Sequence, residues 1–448
     1  MPWRLADLDG ARIALIGHGR EGQATARVLS RRAPGAGVHV FAETAPDTDP
    51  TGPATIGPLD VDPSRFDVVL RSPGVPPHHP GLAACRAAGL PMTTSSSIWF
   101  AERGPDAAGA VLAITGSKGK STTSALLAHV LEGNGLRVEL AGNIGRPLIE
   151  LIDVEADAFV VELSSYQLVD LVGRPDFGAV TRLFPEHADW HGGVEAYYAD
   201  KLRLAGLLDE RPLWFNGSDP VLSRALADRD NAQPVNRPPG LHAEDDGLYR
   251  ADERCFARED WPLPGRHNLD NLVLAVTLAA ALGPAPNDAL AAARDFRGLA
   301  HRLEALGSID GVVWVNDSIS TSPHATRAAL QADPRPAVLI AGGQARGGDD
   351  GHWAEDLPIL RGLVGLPDTG STVAARLVEA GCVAADAVRQ VEGLDAAVRA
   401  AAELARPGDR VLLSPGAPSY HRFRDFEARG DAFRSAVSAL RRERGGRD

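Results

Sequence analysis

The run Ala113-Ile-Thr-Gly-Ser-Lys-Gly-Lys-Ser-Thr122 constrains the fold more than any other stretch of the chain. It joins an apolar, strand-like run, Val111-Leu-Ala-Ile-Thr115, to a helix through a turn of small residues. Such a turn lets successive backbone N–H groups point into one concavity and cradle phosphate at the start of the helix. Lys120 supplies a cation for β- and γ-phosphate oxygens, and Ser121 offers a hydroxyl to Mg²⁺. The expected ligands are therefore ATP and Mg²⁺. The spacing departs from G-x-x-x-x-G-K-[ST], because Ile114 stands where the first glycine belongs.

A length of 448 residues points to about three domains. The net charge of −13 argues against a nucleic-acid surface, which needs clustered Lys and Arg, so the expected partners are small molecules. Cys85, Cys255 and Cys382 lie far apart without C-x-x-C spacing and are expected as buried free thiols. The N-terminus lacks the pattern of a secretory signal, and no apolar run reaches about 18 residues. A cytoplasmic protein without membrane insertion is expected.

The first hundred residues open with Arg12-Ile-Ala-Leu-Ile16, Gly17-His-Gly-Arg-Glu-Gly22 and a helical stretch over 23–32. Gly17, Gly19 and Gly22 match G-x-G-x-x-G, a dinucleotide signature, with Glu43 where a ribose partner belongs. A second strand, Phe66-Asp-Val-Val-Leu70, runs into the turn Arg71-Ser-Pro-Gly-Val75. Strand-like runs over 158–161, 178–181 and 213–215 continue a doubly wound α/β pattern, and those over 312–315, 337–340 and 410–413 start it again. Residues 231–264 are polar and rich in Pro and Gly and read as loops or short hairpins before a helix over 268–282.

Val161-Glu-Leu-Ser-Ser165 places Glu162 at the end of an apolar strand, where a carboxylate needs a cation or donors, and Mg²⁺ is the expected partner. His187 follows another strand in Pro185-Glu-His-Ala-Asp189, and Lys201 follows in Tyr198-Ala-Asp-Lys-Leu202. Taken singly, a His or a Lys is more often structural or solvated than functional.

The order of these motifs, continued by Gly142-Asn-Ile-Gly145, Gly265-Arg-His-Asn268 with Asn271, Phe296-Arg-Gly-Leu-Ala-His-Arg-Leu-Glu304, Asn316-Asp-Ser318, Leu413-Ser-Pro415, Ser419 and Phe426-Glu-Ala-Arg-Gly430, resembles the Mur ligase family over essentially the whole chain. Within it the chain is most similar to the members that join glutamate to UDP-N-acetylmuramoyl-L-alanine. The resemblance implies an α/β fold of three domains. These are a Rossmann-like UDP-binding domain over 1–102, a central P-loop ATPase domain with a mixed sheet over 103–300, and a Rossmann-like amino-acid-binding domain over 301–448. It implies that Gly17, Gly19, Gly22, Glu43, Thr44, Ser72, Pro73, Gly74, Asn143 and Ser164 meet the UDP substrate. ATP would be met by Gly116, Ser117, Lys118, Gly119, Lys120, Ser121 and Thr122, with Asn268 and Asn271 at adenine and Arg302 and Asp317 from the third domain. Ser121 and Glu162 would serve one Mg²⁺. His187 and Lys201 would serve a second, Lys201 as a CO₂-derived carbamate, because an ammonium cannot ligate a cation and a carbamate oxygen can. Lys120, His187 and Lys201 form the implied catalytic set. The implied reaction passes through an acyl phosphate, which gives exclusion of water a chemical purpose. A monomer is expected.

Departures cluster in the implied glutamate site. The usual Asn-Asp-Ser-Lys-Ala-Thr reads Asn316-Asp-Ser-Ile-Ser-Thr321, a usual Lys is Arg346, and a usual acid is His421. Thr321, Arg346, Ser419, His421 and Phe426, with Arg422 or Arg424, are the candidate glutamate residues. The pattern resembles the branch that adds L-glutamate, with D-glutamate as the alternative. Phe184-Pro-Glu-His replaces the usual Asp-His ending. A nicotinamide-dependent dehydrogenase would account for the first glycine motif but not for the phosphate loop or Lys201. A non-catalytic UDP-sugar-binding protein would not need Lys120, Glu162 and His187.

Overall fold

The computed structural model describes residues 3–43, 52–104, 107–263, 265–344, 353, 357–419 and 422–445. Thr44, Arg346 and His421 lie outside the described residues. The chain divides into two compact units, residues 1–296 and residues 297–448. No described helix is long and apolar enough to cross a membrane.

In the first unit, the N-terminal apolar runs form β1 (Arg12–Ile16), β2 (Gly37–Ala42), β3 (Ala54–Ile56), β4 (Val68–Arg71) and β5 (Met92–Thr93). They pair in the order β3-β2-β1-β4-β5, all parallel. Successive side chains alternate between faces. Ile13 and Leu15 pack with Val28 and Leu29 of helix Arg20–Arg32, while Ala14 and Ile16 pack with Phe41, Leu82 and Cys85 on the other face. Burial on both faces is why these strands read as unbroken apolar runs. The direction of winding reverses between β1 and β4, so their carboxyl ends open a crevice at Gly17 and Ser72.

The central strands are β6 (Ala110–Thr115), β7 (Val138–Gly142), β8 (Ala158–Glu162), β9 (Phe177–Val180), β10 (Leu213–Asn216) and β11 (Ala232–Val235). Their order is β11-β10-β9-β6-β8-β7, again all parallel. Leu112 and Ile114 of β6 pack with Leu127 and Leu131 of helix Lys120–Gly133 and with Leu272 and Val276 of helix Arg266–Ala280. Val111 and Ala113 pack on the opposite face with Leu204 and Leu208 of helix Val194–Leu208. The antiparallel strands β12 (Leu241–Glu244), β13 (Gly247–Arg250) and β14 (Glu253–Ala257) form a separate three-stranded sheet. The expected mixed sheet is thus a parallel sheet beside an antiparallel one. Residues 241–257 supply the expected hairpins, but Ala232–Val235 joins the main sheet at its edge, where Pro234 is tolerated. Cys85 and Cys382 are buried and Cys255 is only partly so; all three are free thiols.

The second unit holds β15 (Glu304–Ile309), β16 (Val312–Asn316), β17 (Ala337–Ala341), β18 (Gly362–Gly365), β19 (Val388–Gln390) and β20 (Arg410–Leu413) in the order β15-β16-β20-β17-β18-β19. Only β15 and β16 pair antiparallel. Trp314, Ile340 and Leu413 pack with Val398, Phe433 and Val437 on one face, and Leu339 and Leu412 with Val373 and Leu377 on the other. Insertion of β20 between β16 and β17 gathers Asp317, Gly342 and Ser414 at adjacent carboxyl ends.

Candidate functional site

The phosphate loop is built as only glycine allows at two positions. Gly116 and Gly119 have φ of +141° and +89°. A Cβ on Gly116 would lie 2.0 Å from Thr181 Oγ1, and one on Gly119 would lie 2.5 Å from Asn271 Oδ1. Ser117 Oγ donates to Phe184 O at 2.9 Å and accepts from Phe184 N and the Tyr197 hydroxyl. Thr181 Oγ1 donates to Lys118 O at 2.6 Å. Lys120 Nζ donates to Ser117 O at 3.0 Å, so the ammonium folds over the loop. Ser121 is buried in the first turn of helix Lys120–Gly133, and Thr122 follows it half-buried. Asn271 donates to Asn268 Oδ1 at 3.2 Å, which places both adenine candidates beside the loop.

Glu162 ends β8 in register with Ile114 of β6, one strand from the loop. Asn143 Nδ2 donates to its Oε1 at 2.6 Å, whereas its buried Oε2 has no hydrogen-bond partner among the described residues. A buried carboxylate oxygen left bare is destabilising and fits a cation. Lys201 is 2% exposed, with Nζ 4.9 Å from the centroid of the Tyr197 ring. Burial, helped by the charge of Lys120, pushes its amine down to about 6, against the pull of Glu186 and Glu162. Burial also lowers His187, opposed by Glu186 and reinforced by Lys201 and Lys120, so its imidazole is mainly neutral at pH 7 and has a lone pair to offer. These mutual influences put Lys120, Glu162, His187 and Lys201 in one electrostatic neighbourhood. His191 hydrogen-bonds Asp200 at 2.6 Å and Ser165 Oγ at 3.0 Å, fastening the segment after His187 to the helix of Lys201 and to the loop after Glu162. No cluster of three or more His, Cys, Asp and Glu forms a metal site among the described residues. The expected donors are a hydroxyl, a carboxylate, an imidazole and a lysine, a set that needs phosphate or carbamate oxygens to complete it.

The crevice at β1 and β4 is tied to the same centre. Ser72 Oγ donates to Gly17 O at 3.2 Å. Arg71, wholly buried, donates to the carbonyls of Ser72, Pro73 and Val75 and grips Asp170 with two bonds of 2.8 and 2.6 Å. Trp190 Nε1 donates to Gly74 O at 3.2 Å. Gly19 caps helix Arg20–Arg32, and Gly22 is buried in its first turn. Arg20 donates to the carbonyls of Gly142 and Asn143. Glu21 accepts from Ser95 at 2.9 Å and from Gln167 at 2.6 Å, and Gln167 in turn accepts from Ser164 N and Oγ. Burial raises the Glu21 carboxyl above the ordinary range, opposed by those two hydrogen bonds. Glu43 follows β2 and lies 3.5 Å from His79. Sequence reasoning missed the roles of Arg71, Asp170, Glu21 and Gln167. The available signal was an arginine closing an apolar strand and an acid inside the glycine motif.

In the second unit, Asp317 is buried and accepts from Ser414 Oγ at 2.8 Å and Leu303 N at 3.1 Å. Burial raises its carboxyl, while hydrogen bonds and the charge of exposed Arg302 oppose the rise. Buried Arg429 donates to Ser318 Oγ, Ser318 O and Ala417 O, locking the turn after β16 to helix Phe426–Gly445. Ser419 lines a cavity of about 370 Å³ with Gly343, Arg422 and Phe423. Thr321 lines a second of about 130 Å³ with Trp353 and Arg376, and Gln344 borders both. Phe426 borders neither; its carbonyl accepts from Ser318 Oγ.

Comparison with known proteins finds relatives along nearly the whole chain. Residues 114–279 match the Mur ligase middle domain, and residues 301–416 match the Mur ligase glutamate ligase domain. A UDP-N-acetylmuramoyl-L-alanine--L-glutamate ligase of Micromonospora sp. is 41% identical, covering 97% of this chain and 98% of that protein. One of the same name from Xanthomonas axonopodis pv. citri is 39% identical, covering 96% of each. Among solved structures, MurF of Acinetobacter baumannii aligns with a TM-score of 0.57 at 16% identity, covering 96% of this chain and 93% of that one. The UDP-N-acetylmuramate-alanine ligase MurC of Thermotoga maritima aligns with 0.55 at 18% identity, covering 96% and 100%. These two likenesses establish the fold.

Proposed function

The chain belongs to the Mur ligase family, and from that premise we propose that it uses ATP to join L-glutamate to UDP-N-acetylmuramoyl-L-alanine in peptidoglycan precursor synthesis. The carrying observation is near full-length similarity, at 41% and 39% identity, to ligases named for that acceptor and that enantiomer. Ile319, in place of a usual lysine, supports an amino-acid site altered from that of D-glutamate enzymes.

In this reading the loop from Gly116 to Thr122 holds the triphosphate, and Lys120 exchanges Ser117 O for phosphate oxygen. Ser121 and Glu162 hold one Mg²⁺, a role that the bare Glu162 Oε2 fits; His187 and Lys201 hold a second. When bound there, Mg²⁺ withdraws charge from phosphate oxygens and reduces repulsion between two anionic reactants. Lys201 fits carbamylation because an amine held near 6 is mainly neutral at pH 7. Its lone pair attacks the carbon of CO₂, the nitrogen sheds one proton, and a neutral amine becomes an anionic carbamate that presents oxygen donors. Gly17, Gly19, Gly22, Glu43, Thr44, Ser72, Pro73, Gly74, Asn143 and Ser164 hold the UDP substrate. Asn268 and Asn271 meet adenine, Arg302 and Asp317 meet the nucleotide, and Thr321, Arg346, Ser419, His421 and Phe426 meet glutamate.

An alanyl carboxylate oxygen attacks the γ-phosphorus and ADP leaves, giving an acyl phosphate. The neutral glutamate amine attacks the acyl carbon, phosphate departs with the C–O electron pair, and nitrogen sheds a proton to leave the amide. Domains over 1–102, 103–300 and 301–448 then serve UDP substrate, ATP and glutamate. We take the working enzyme as a cytoplasmic monomer, since ATP is met in that compartment and one chain supplies every proposed contact.

The test is phosphate release with UDP-N-acetylmuramoyl-L-alanine and each pure glutamate enantiomer. L-glutamate should exceed D-glutamate by roughly 30-fold or more in kcat/KM, because a misplaced carboxylate costs about 2–5 kcal/mol. A D-glutamate preference overturns the enantiomer, and silence with both overturns the acceptor.

A further inference from the structure

The phosphate loop carries two lysines, and each is held by an acceptor of the protein itself. Lys120 rests on Ser117 O. Lys118 reaches sideways to Glu186, Nζ to Oε1 at 2.7 Å. The Lys118 side chain is 62% exposed and that of Glu186 only 20%. The backbone beneath Lys118 is fastened, because its carbonyl accepts from Thr181 Oγ1 and Ser117 N donates to Arg182 O. The attachment point is therefore fixed while the long arm is in solvent and able to swing.

Glu186 directly precedes His187, and its charge acts on both His187 and Lys201. The ion pair thus spans from the outer lip of the loop to the segment carrying the proposed metal ligands. Lys118 and Lys120 bring two positive charges to one loop, and Glu186 offsets part of that charge. A half-exposed Lys–Glu pair is weak, whereas a multiply charged phosphate gives a stronger, charge-assisted partner to the same ammonium. ATP brings such a partner, and it also brings negative charge that would repel Glu186.

We propose that Lys118 is a second phosphate-binding cation, stored on Glu186 in the nucleotide-free enzyme and transferred to the terminal phosphate of ATP. Its partner Glu186 adjoins His187, a proposed Mg²⁺ ligand at the phosphoryl-transfer centre, so Lys118 is assigned to the terminal phosphate and ADP gains little from the transfer. The inference rests on the reading that the loop from Gly116 to Thr122 binds ATP.

The experiment is calorimetric binding of Mg²⁺ with a nonhydrolysable triphosphate analogue or with ADP, on the full chain and its variants at fixed salt. Lys118→Met should weaken the triphosphate analogue by about 10-fold and ADP by less than about 3-fold, the scale of one charge-assisted phosphate contact. Lys118→Arg should restore most of the loss. Glu186→Gln should tighten the analogue about 3-fold, because a weak competing pair is removed, and this gain should vanish when Lys118→Met is combined with it. Unchanged analogue binding in Lys118→Met overturns the proposal, as does an equal loss for ADP. Weaker analogue binding in Glu186→Gln overturns the storage role. Lys120→Ala separates the parent reading: if it leaves both nucleotides bound as before, the loop is not the ATP site.

Discussion

At Lys201 a primary amine is buried beside the ring of Tyr197, and the charge of Lys120 depresses it further. Its folded value, about 6, lies below the ordinary 10.5, so between those pH values the unfolded chain binds a proton that the folded chain lacks. Stability of nucleotide-free enzyme in CO₂-stripped buffer should therefore rise with pH across that window. Lys201→Met should flatten the rise in urea midpoints between pH 6 and pH 9, and identical slopes in the two proteins would refute a neutral buried amine. Activity gives a second reading. Lys201→Ala should be nearly inactive and partly recover with short carboxylic acids, which replace carbamate oxygens, while His187→Ala should not recover. Full activity of Lys201→Ala without additive excludes the carbamate. Neither residue was legible from spacing alone; each needed the surrounding order of motifs. The phosphate loop was legible because all its chemistry is local in sequence. Arg71 with Asp170 and Glu21 with Gln167 were not, since each pair spans about a hundred residues or more and exists only after the chain folds.

Among the elements, the loop between β6 and helix Lys120–Gly133 is the least forgiving. A Cβ on Gly116 would meet Thr181 Oγ1 at 2.0 Å, at a φ that L side chains rarely adopt. Gly116→Ala must displace the loop or Thr181 and so break the bond from Thr181 to Lys118 O. Misplacement of this kind, near 1 Å, reduces kcat/KM by about 100-fold, and the loss should appear in the ATP kinetics while UDP-substrate affinity stays within about 3-fold. Equal loss toward both substrates would mean that the two crevices are not separable. Strands β1, β4, β6, β8 and β20 were legible because burial on both faces demands apolar runs. Ala232–Val235 was not, because an edge strand tolerates Pro234 and polar side chains and so reads as loop. Short β3 and β5 carry too few residues to show a pattern.

Across the whole chain, length pointed to three domains, and contacts tie the first two large sheets into one compact unit with residues 297–448 as another. The joining bonds within the first unit, Arg71 to Asp170, Glu21 to Gln167, Arg27 to Glu150 and Trp190 to Gly74, come from residues that no local pattern marks. Each unit has its own buried cores, so calorimetry of the intact enzyme should resolve two transitions. Leu274→Ala removes a buried side chain of the first unit and Leu412→Ala one of the second. Each should lower only its own transition, by an amount matching about 2–5 kcal/mol for a core leucine. Mg²⁺ with a triphosphate analogue at about 100 times its Kd should stabilise the first-unit transition by about 2.7 kcal/mol, because the phosphate loop belongs to that unit. A shift of the second transition that Asp317→Asn removes would place Asp317 on the nucleotide as proposed; a second transition unmoved by nucleotide would exclude that role. If both core variants instead lower one common transition, the two units unfold together.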